Sequence, residues 1–257
     1  KFSQFMEEIS ESGKATLAKY IIHRRLVLNL LENSLKKRSD NKYPLEERVH
    51  EIIFPLRADS SEVPYDKQNL WLIDEKLSYH YYLASDLQFD KIEPVQVNNK
   101  KRPDLLVFNQ PIAFVDQEPP FTSVVVIEFK RPMRKDYDDS EENPIAQVWG
   151  YIRDIQEGNK LDRDGRPINP QKGLPYYAYI VADLTKRLRV IAEDYGLIAT
   201  PDNEGYFGYN KNLEAYVELI SYDKLLRDSQ QRNRVLFEKL NLPVYSKTKE
   251  ASLASNT

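Results

Sequence analysis

Apolar residues at Leu17, Ile21, Ile22, Val27, Leu28, Leu31 and Leu35 recur at three- and four-residue intervals within residues 14–38. This period predicts a long amphipathic helix. A second helix fits PLEERVHEIIF (44–54), with Pro44 in its first turn and a stripe of Leu45, Val49, Ile52 and Ile53. Glu47 and Glu51, four residues apart, share another face. The stretch 55–68 is rich in turn formers. In 69–86, Leu70–Ile73 reads as a short strand followed by a helix. Continuous apolar runs then predict strands at 102–109 and 123–130, joined by a turn-rich connection with Pro111, Pro119 and Pro120.

Residues 143–158 carry a helix signature: Asn143 as N-cap, Pro144 at the first position, Gly158 after the end. A polar loop (159–175) leads to a third strong strand at 176–183 and a helix at 185–196 closed by Gly196. Segments 204–210 and 215–221 read as a β-hairpin or two edge strands, 221–242 as a final helix and 246–257 as a frayed tail. The central order of helix, strand, strand, strand, helix, strand predicts an α/β core, a mixed central sheet flanked by helices. The expected division is a helical linker at 1–40, the core at 41–200, a hairpin and helix appended at 201–244, and a tail at 245–257.

Composition narrows the chemistry. With 41% hydrophobic and 30% charged residues among 257, this is a folded rather than a disordered chain. It has no cysteine, which excludes disulfides and thiolate metal sites. Its three histidines, His23, His50 and His80, are too few for a histidine-rich zinc site. A metal here would be held by oxygen, as magnesium, manganese or calcium are. The net charge of −3 offers no whole-molecule attraction to nucleic acid, so any such attraction must come from local patches. Apolar runs are too short for a membrane span, and without a secretory signal the default location is cytoplasmic. The first residue is Lys1 rather than Met, so the chain is expected to be part of a longer one.

The candidate chemistry sits in TSVVVIEFKRP (122–132), where four apolar residues run directly into Glu128 and Lys130. Strand alternation sends both charges to one face and Phe129 to the other. They form either a salt bridge at a sheet edge or part of an active site. Asp104 begins the preceding strand. If the two strands are antiparallel neighbours, the start of one lies beside the end of the other, and Asp104, Glu128 and Lys130 converge. Two adjacent carboxylates repel unless a cation lies between them, which suits Mg²⁺.

Pro103-Asp104 followed by Glu128-Phe129-Lys130 resembles the PD-(D/E)xK motif of the restriction-endonuclease-like nuclease superfamily. Gln147 and Tyr151, in QVWGY, resemble the QxxxY element of its RecB-like branch. The likeness covers about residues 44–195 in order and spacing. It implies a restriction-endonuclease-like fold and a Mg²⁺- or Mn²⁺-dependent deoxyribonuclease. Asp104, Glu128 and the Phe129 carbonyl would hold the metal, Lys130 would orient the attacking water, and Gln147 and Tyr151 would position DNA. Glu47 would match the extra upstream acid of such families, with Glu51, one turn away, competing for the role. The alternative is an inactive nuclease-fold module that binds nucleic acid or a partner protein. HEIIFPLR and residues 69–86 also resemble the C-terminal part of large bacterial proteins with a GHKL-type ATPase domain, which implies a DNA-processing or antiviral-defence setting and an attached ATPase.

Other residues have plainer readings. His50 reads as a packed or hydrogen-bonded histidine, and Trp71 and Trp149 as core. Asp74 and Glu75 fit a helix N-terminus or the site. Basic runs at 98–103 and 130–135 flank the motif, placing Lys100, Lys101, Arg131 and Arg134 where a phosphate backbone would lie, while the acidic run 136–143 opposes them.

Overall fold

The structure, a computed structural model, describes residues 11–37, 43, 46–92, 95, 97–109, 123–137, 142–158 and 174–243. The chain divides into two compact units, one from Ser34 to Leu225 and one formed by the chain on either side, up to Asn33 and from Leu226. Expectations for Pro44, Leu45, the prolines of the 110–122 connection, most of the 159–175 loop and the tail lie outside the described residues.

The larger unit is built on one eight-stranded sheet. Its strands are β1 (Ala58–Asp59), β2 (Tyr82–Ser85), β3 (Leu105–Asn109), β4 (Ser123–Phe129), β5 (Tyr176–Val181), β6 (Ile198–Ala199), β7 (Gly205–Asn210) and β8 (Ala215–Ile220), in the order β1-β2-β3-β4-β5-β8-β7-β6. From β1 to β4 neighbours are antiparallel, β4, β5 and β8 are parallel, and β8, β7 and β6 are again antiparallel. This is the expected mixed α/β sheet with flanking helices. Every residue of β4 is buried, which explains why its sequence is a continuous apolar run rather than an alternating one.

Among the described residues the α-helices are α1 (Glu11–Ser34), α2 (Glu46–Ile53), α3 (Pro144–Glu157), α4 (Lys186–Asp194) and α5 (Tyr222–Lys239). The Asn143 cap and the Gly196 stop act as expected, and Thr185 adds a cap at the start of α4. Asn143 Oδ1 accepts from the N–H groups of Ile145 and Ala146, and Thr185 caps α4 through the Leu188 N–H. Gly196 follows α4 at φ 73°, a left-handed conformation that glycine adopts without steric cost. Helix α3 carries the chain between parallel strands β4 and β5, burying Ile145, Val148, Trp149, Ile152 and Ile155 against the sheet.

Two expectations are corrected. Leu70–Ile73 is not a strand followed by a helix: 3₁₀ turns at Leu70–Leu72 and Glu75–Tyr79 precede β2. Asn69, Leu70, Trp71 and Leu72 are all buried, so their apolar run serves packing on every side and carries no alternation. Second, the hairpin expected outside the core belongs to the sheet, because β8 pairs along its whole length with β5 and only β7 and β6 lie beyond it. Helix α1, expected as an appendage to the core, lies with most of α5 in the smaller unit, where the buried Arg24 guanidinium donates to Asn233 Oδ1 at 2.8 Å. Among the described residues no helix is long and apolar enough to cross a membrane.

Candidate active site

The antiparallel register places Leu105 opposite Ile127, so the next residues out, Asp104 and Glu128, meet at one end of the sheet. Asp104 Oδ2 accepts the Phe129 N–H at 2.7 Å, and the Asp104 carbonyl accepts the Asp86 N–H at 2.9 Å. Lys130 lies just past the strand, yet its backbone stays in the sheet. Its N–H donates to the Val181 carbonyl at 2.9 Å, and its carbonyl accepts the Tyr222 hydroxyl at 2.6 Å. The expected convergence of Asp104, Glu128 and Lys130 is therefore present.

Glu128 and Lys130 are only 5% and 4% exposed, and Lys130 Nζ donates to Glu128 Oε1 at 2.7 Å. That burial removes the surface-ion-pair reading. Glu128 Oε2 is also buried but has no hydrogen-bond partner among the described residues. The backbone N–H of Asp104 favours the anion, as the smallest of the influences on this carboxyl. Burial pushes the Glu128 carboxyl above the usual range, against the opposing pull of Lys130. Asp104 is pushed well above it, first by desolvation and then by the charge of Glu128, although a quarter of its side chain remains exposed. Burial and neighbouring acids thus work against the charged forms of both carboxyls, and Lys130 works for them.

The third acid is Glu46. Its charge adds to the upward pressure on both Asp104 and Glu128, and its Oε2 accepts the Arg131 N–H at 2.9 Å. Neither expected candidate takes this place: Glu47 is exposed, and Glu51 pairs at 3.9 Å with Arg48 on the outer flank of α2. The reason is helical phase. Helix α2 buries Val49, His50, Ile52 and Ile53, and Glu46 stands three and four residues before the first two, on the buried face.

His50 is packed, as expected, and also borders the site. Its Nε2 pairs with Ser85 Oγ at 2.9 Å, its Nδ1 lies 3.9 Å from Asp104 Oδ1, and its ring sits 5.3 Å from that of Phe129. Burial lowers its pKa to about 4, partly opposed by the charge of Asp86. It is neutral at pH 7.

Gln147 and Tyr151 share one face of α3. The Tyr151 hydroxyl donates to the Arg102 carbonyl at 3.3 Å, and its ring meets Phe89 edge-on at 5.8 Å. Burial raises the Tyr151 pKa, and the charges of Glu128 and Asp104 raise it further. Gln147 Oε1 is buried and has no hydrogen-bond partner among the described residues. Ile145, Val148 and Ile152 face the core, as the spacing predicts.

Asp74 and Glu75 resolve towards structure: Asp74 caps a 3₁₀ turn through the Lys76 N–H and receives the Tyr179 hydroxyl. Trp71 and Trp149 are core. The flanking cations stand in ion pairs. Lys101 pairs with Asp154 at 2.7 Å, Arg134 with Glu142 at 2.9 Å and Asp136 at 3.5 Å, and Arg131 with Asp136 at 3.9 Å. The acidic run thus answers these arginines directly.

Among the described residues, no group of three or more His, Cys, Asp or Glu side chains is placed to hold a metal ion by itself. The donor set nevertheless fits a hard cation that takes one or two carboxylates and completes its shell with backbone carbonyl, water and substrate phosphate, as Mg²⁺ does. Comparison with protein-family models, with curated proteins and with solved structures found no match.

Proposed function

We propose that the chain is a metal-dependent nuclease that hydrolyses phosphodiester bonds of DNA, of the PD-(D/E)xK kind that its motifs resemble. The observation that carries this reading is Glu128. A structural ion pair satisfies its oxygens, because leaving a buried acceptor unpaired costs about 1–3 kcal/mol, and more for a charged group. Here Oε1 is held by Lys130, while Oε2 is buried, unpaired and set beside a second carboxylate. Such an arrangement suits a site that is completed by a ligand.

Asp104, Glu128 and the Phe129 carbonyl would hold Mg²⁺ or Mn²⁺, with Glu46 the adjacent acid. The ion would supply Lewis-acid polarisation of the phosphate and a bound water of lowered pKa. Lys130 presents three N–H donors, of which Glu128 takes one. The others can orient the attacking water and neutralise a phosphoryl oxygen. Tyr151 and Gln147 present polar groups from α3 to position the strand. The resemblance to ATPase-linked bacterial proteins implies a larger DNA-processing or defence protein as the setting of this activity.

A second reading, an inactive module that binds nucleic acid or a protein partner, is favoured by one observation: Lys130 already compensates half of Glu128 internally. Incubation of circular and linear DNA with Mg²⁺ or Mn²⁺, beside EDTA controls, decides between them. The nuclease reading expects cutting only with metal, and a loss of about 10²-fold or more in Glu128→Gln and Lys130→Ala. DNA binding without cutting, in either metal, would favour the module. Equal cutting by both variants would place the activity elsewhere.

A further inference from the structure

Most of the basic residues around the site are matched by acids. Lys101 has Asp154, and Arg131 and Arg134 have Asp136 and Glu142 between them. One ionic cluster is different. Asp86 accepts from two guanidiniums, with Arg57 Nε at 3.4 Å on Oδ2 and Arg102 Nη1 at 3.3 Å on Oδ1. Two cations on one carboxylate leave an excess positive charge. The Arg57 side chain is 78% exposed and that of Arg102 40%, while Asp86 beneath them is 19% exposed. The acid anchors the guanidiniums and leaves their remaining N–H groups directed to solvent.

The position of this cluster is set by the sheet. Ala58 pairs with Ser85, Ser85 with Leu105 and Leu105 with Ile127. The next residues outward are Arg57, Asp86, Asp104 and Glu128, one per strand, in a row along the same end of the sheet. Three strand spacings of about 4.8 Å put the Arg57 backbone about 14 Å from that of Glu128. Hydrogen bonds tie the row together: the Asp86 N–H donates to the Asp104 carbonyl, and the Arg102 carbonyl accepts from Tyr151. Arg57 and Asp86 both hold left-handed backbone, at φ 55° and 49°. Neither is glycine, and arginine gains nothing locally from that conformation, so the surrounding structure imposes it.

The geometry points to a phosphate-binding subsite in which Arg57 and Arg102, held by Asp86, take a backbone phosphate of DNA a few nucleotides from the one to be cut. This rests on the nuclease reading and extends it, since it fixes the side from which the strand reaches the carboxylates: over β1 and β2. Guanidiniums suit the task because their planar forks can bond a carboxylate on one edge and phosphate oxygens on another.

The test is a fluorescence-anisotropy titration of a short DNA duplex at several salt concentrations, in EDTA and again in Ca²⁺, with cleavage in Mg²⁺ measured alongside. The parent is compared with Arg57→Gln, Arg102→Gln and Lys211→Gln. Lys211 lies in the turn between β7 and β8, at the opposite end of the sheet, so its variant removes the same charge away from the row. Each clamp variant is expected to lower the slope of log affinity against log salt by about one, and the Lys211 variant to leave it unchanged. If the parent binds and cuts while the clamp variants behave like Lys211→Gln, the subsite is overturned and the nuclease reading stands. If binding depends on the clamp but no cutting occurs, the subsite stands and the nuclease reading falls. A parent that binds DNA in neither buffer overturns both.

Discussion

At Glu128 two demands oppose each other. The carboxylate is buried, which disfavours its charge, yet its ion-pair partner Lys130 is equally buried and pulls the other way. Removing one partner of such a pair strands the other, at a cost of about 3–5 kcal/mol. Lys130→Met is therefore expected to lower stability by that order in urea unfolding without divalent ions, and the double variant Glu128→Gln/Lys130→Met to recover part of the loss. A double variant no more stable than Lys130→Met would mean that the charges are not coupled. His50 makes a separate prediction. Its folded pKa, about 4, lies below the ordinary 6.5, so between these values the unfolded chain binds the extra proton. His50 therefore contributes no penalty above pH 6.5, and stability falls as the pH drops from 6.5 towards 4, by up to about 3 kcal/mol. Thermal melts at pH 5 and pH 7.5 should show a smaller acid loss in His50→Gln than in the parent. An equal loss would assign the acid sensitivity to other groups.

At the scale of the element, α3 links stability to the site. Asn143 satisfies two N–H groups at its first turn, and Gln147 and Tyr151 ride on the following turns. Asn143→Ala should cost about 1 kcal/mol in urea unfolding. Any loss of cutting beyond that explained by unfolding would show that the cap also sets the angle at which the helix presents those two side chains. Helix α5 has a comparable role at its start, where Tyr222 donates to the Lys130 carbonyl. Nothing in the sequence links these residues, which are 92 positions apart. Helix α2 shows how a small change in phase reassigns a role: one residue of rotation, about 100°, separates the site-facing Glu46 from the exposed Glu47.

At the scale of the whole molecule, the sheet does not end where the motif-bearing core was expected to end. Strand β8 lies inside it, hydrogen-bonded to β5 on one side and β7 on the other. A chain ending at Thr200 loses β7 and β8, strips the partner from β5 and uncovers one edge of the sheet. That truncation is expected to be insoluble or to unfold without cooperativity, read by circular dichroism and limited proteolysis. A truncated chain that melts cooperatively would show that the hairpin is dispensable.

What the sequence by itself determined is local or nearly so. Strands β3 and β4, helix α3 between Asn143 and Gly158, and helix α4 between Thr185 and Gly196 are written in runs, periods and caps whose physics acts over a few residues. The meeting of Asp104 with Glu128 was legible too, because antiparallel pairing of two consecutive strands leaves little choice about which ends coincide. Tertiary structure alone decided the rest. Burial on all sides, not backbone preference, explains the apolar run at Leu70–Leu72, so it folds as a 3₁₀ turn. Pairing between β5 and β8, distant in sequence, set the true width of the sheet. The row across β1 to β4 brought Arg57 and Asp86 to the same end of the sheet as the carboxylates. Charge and burial are properties of neighbours in space, and a one-dimensional pattern records them only where those neighbours are also near in the chain.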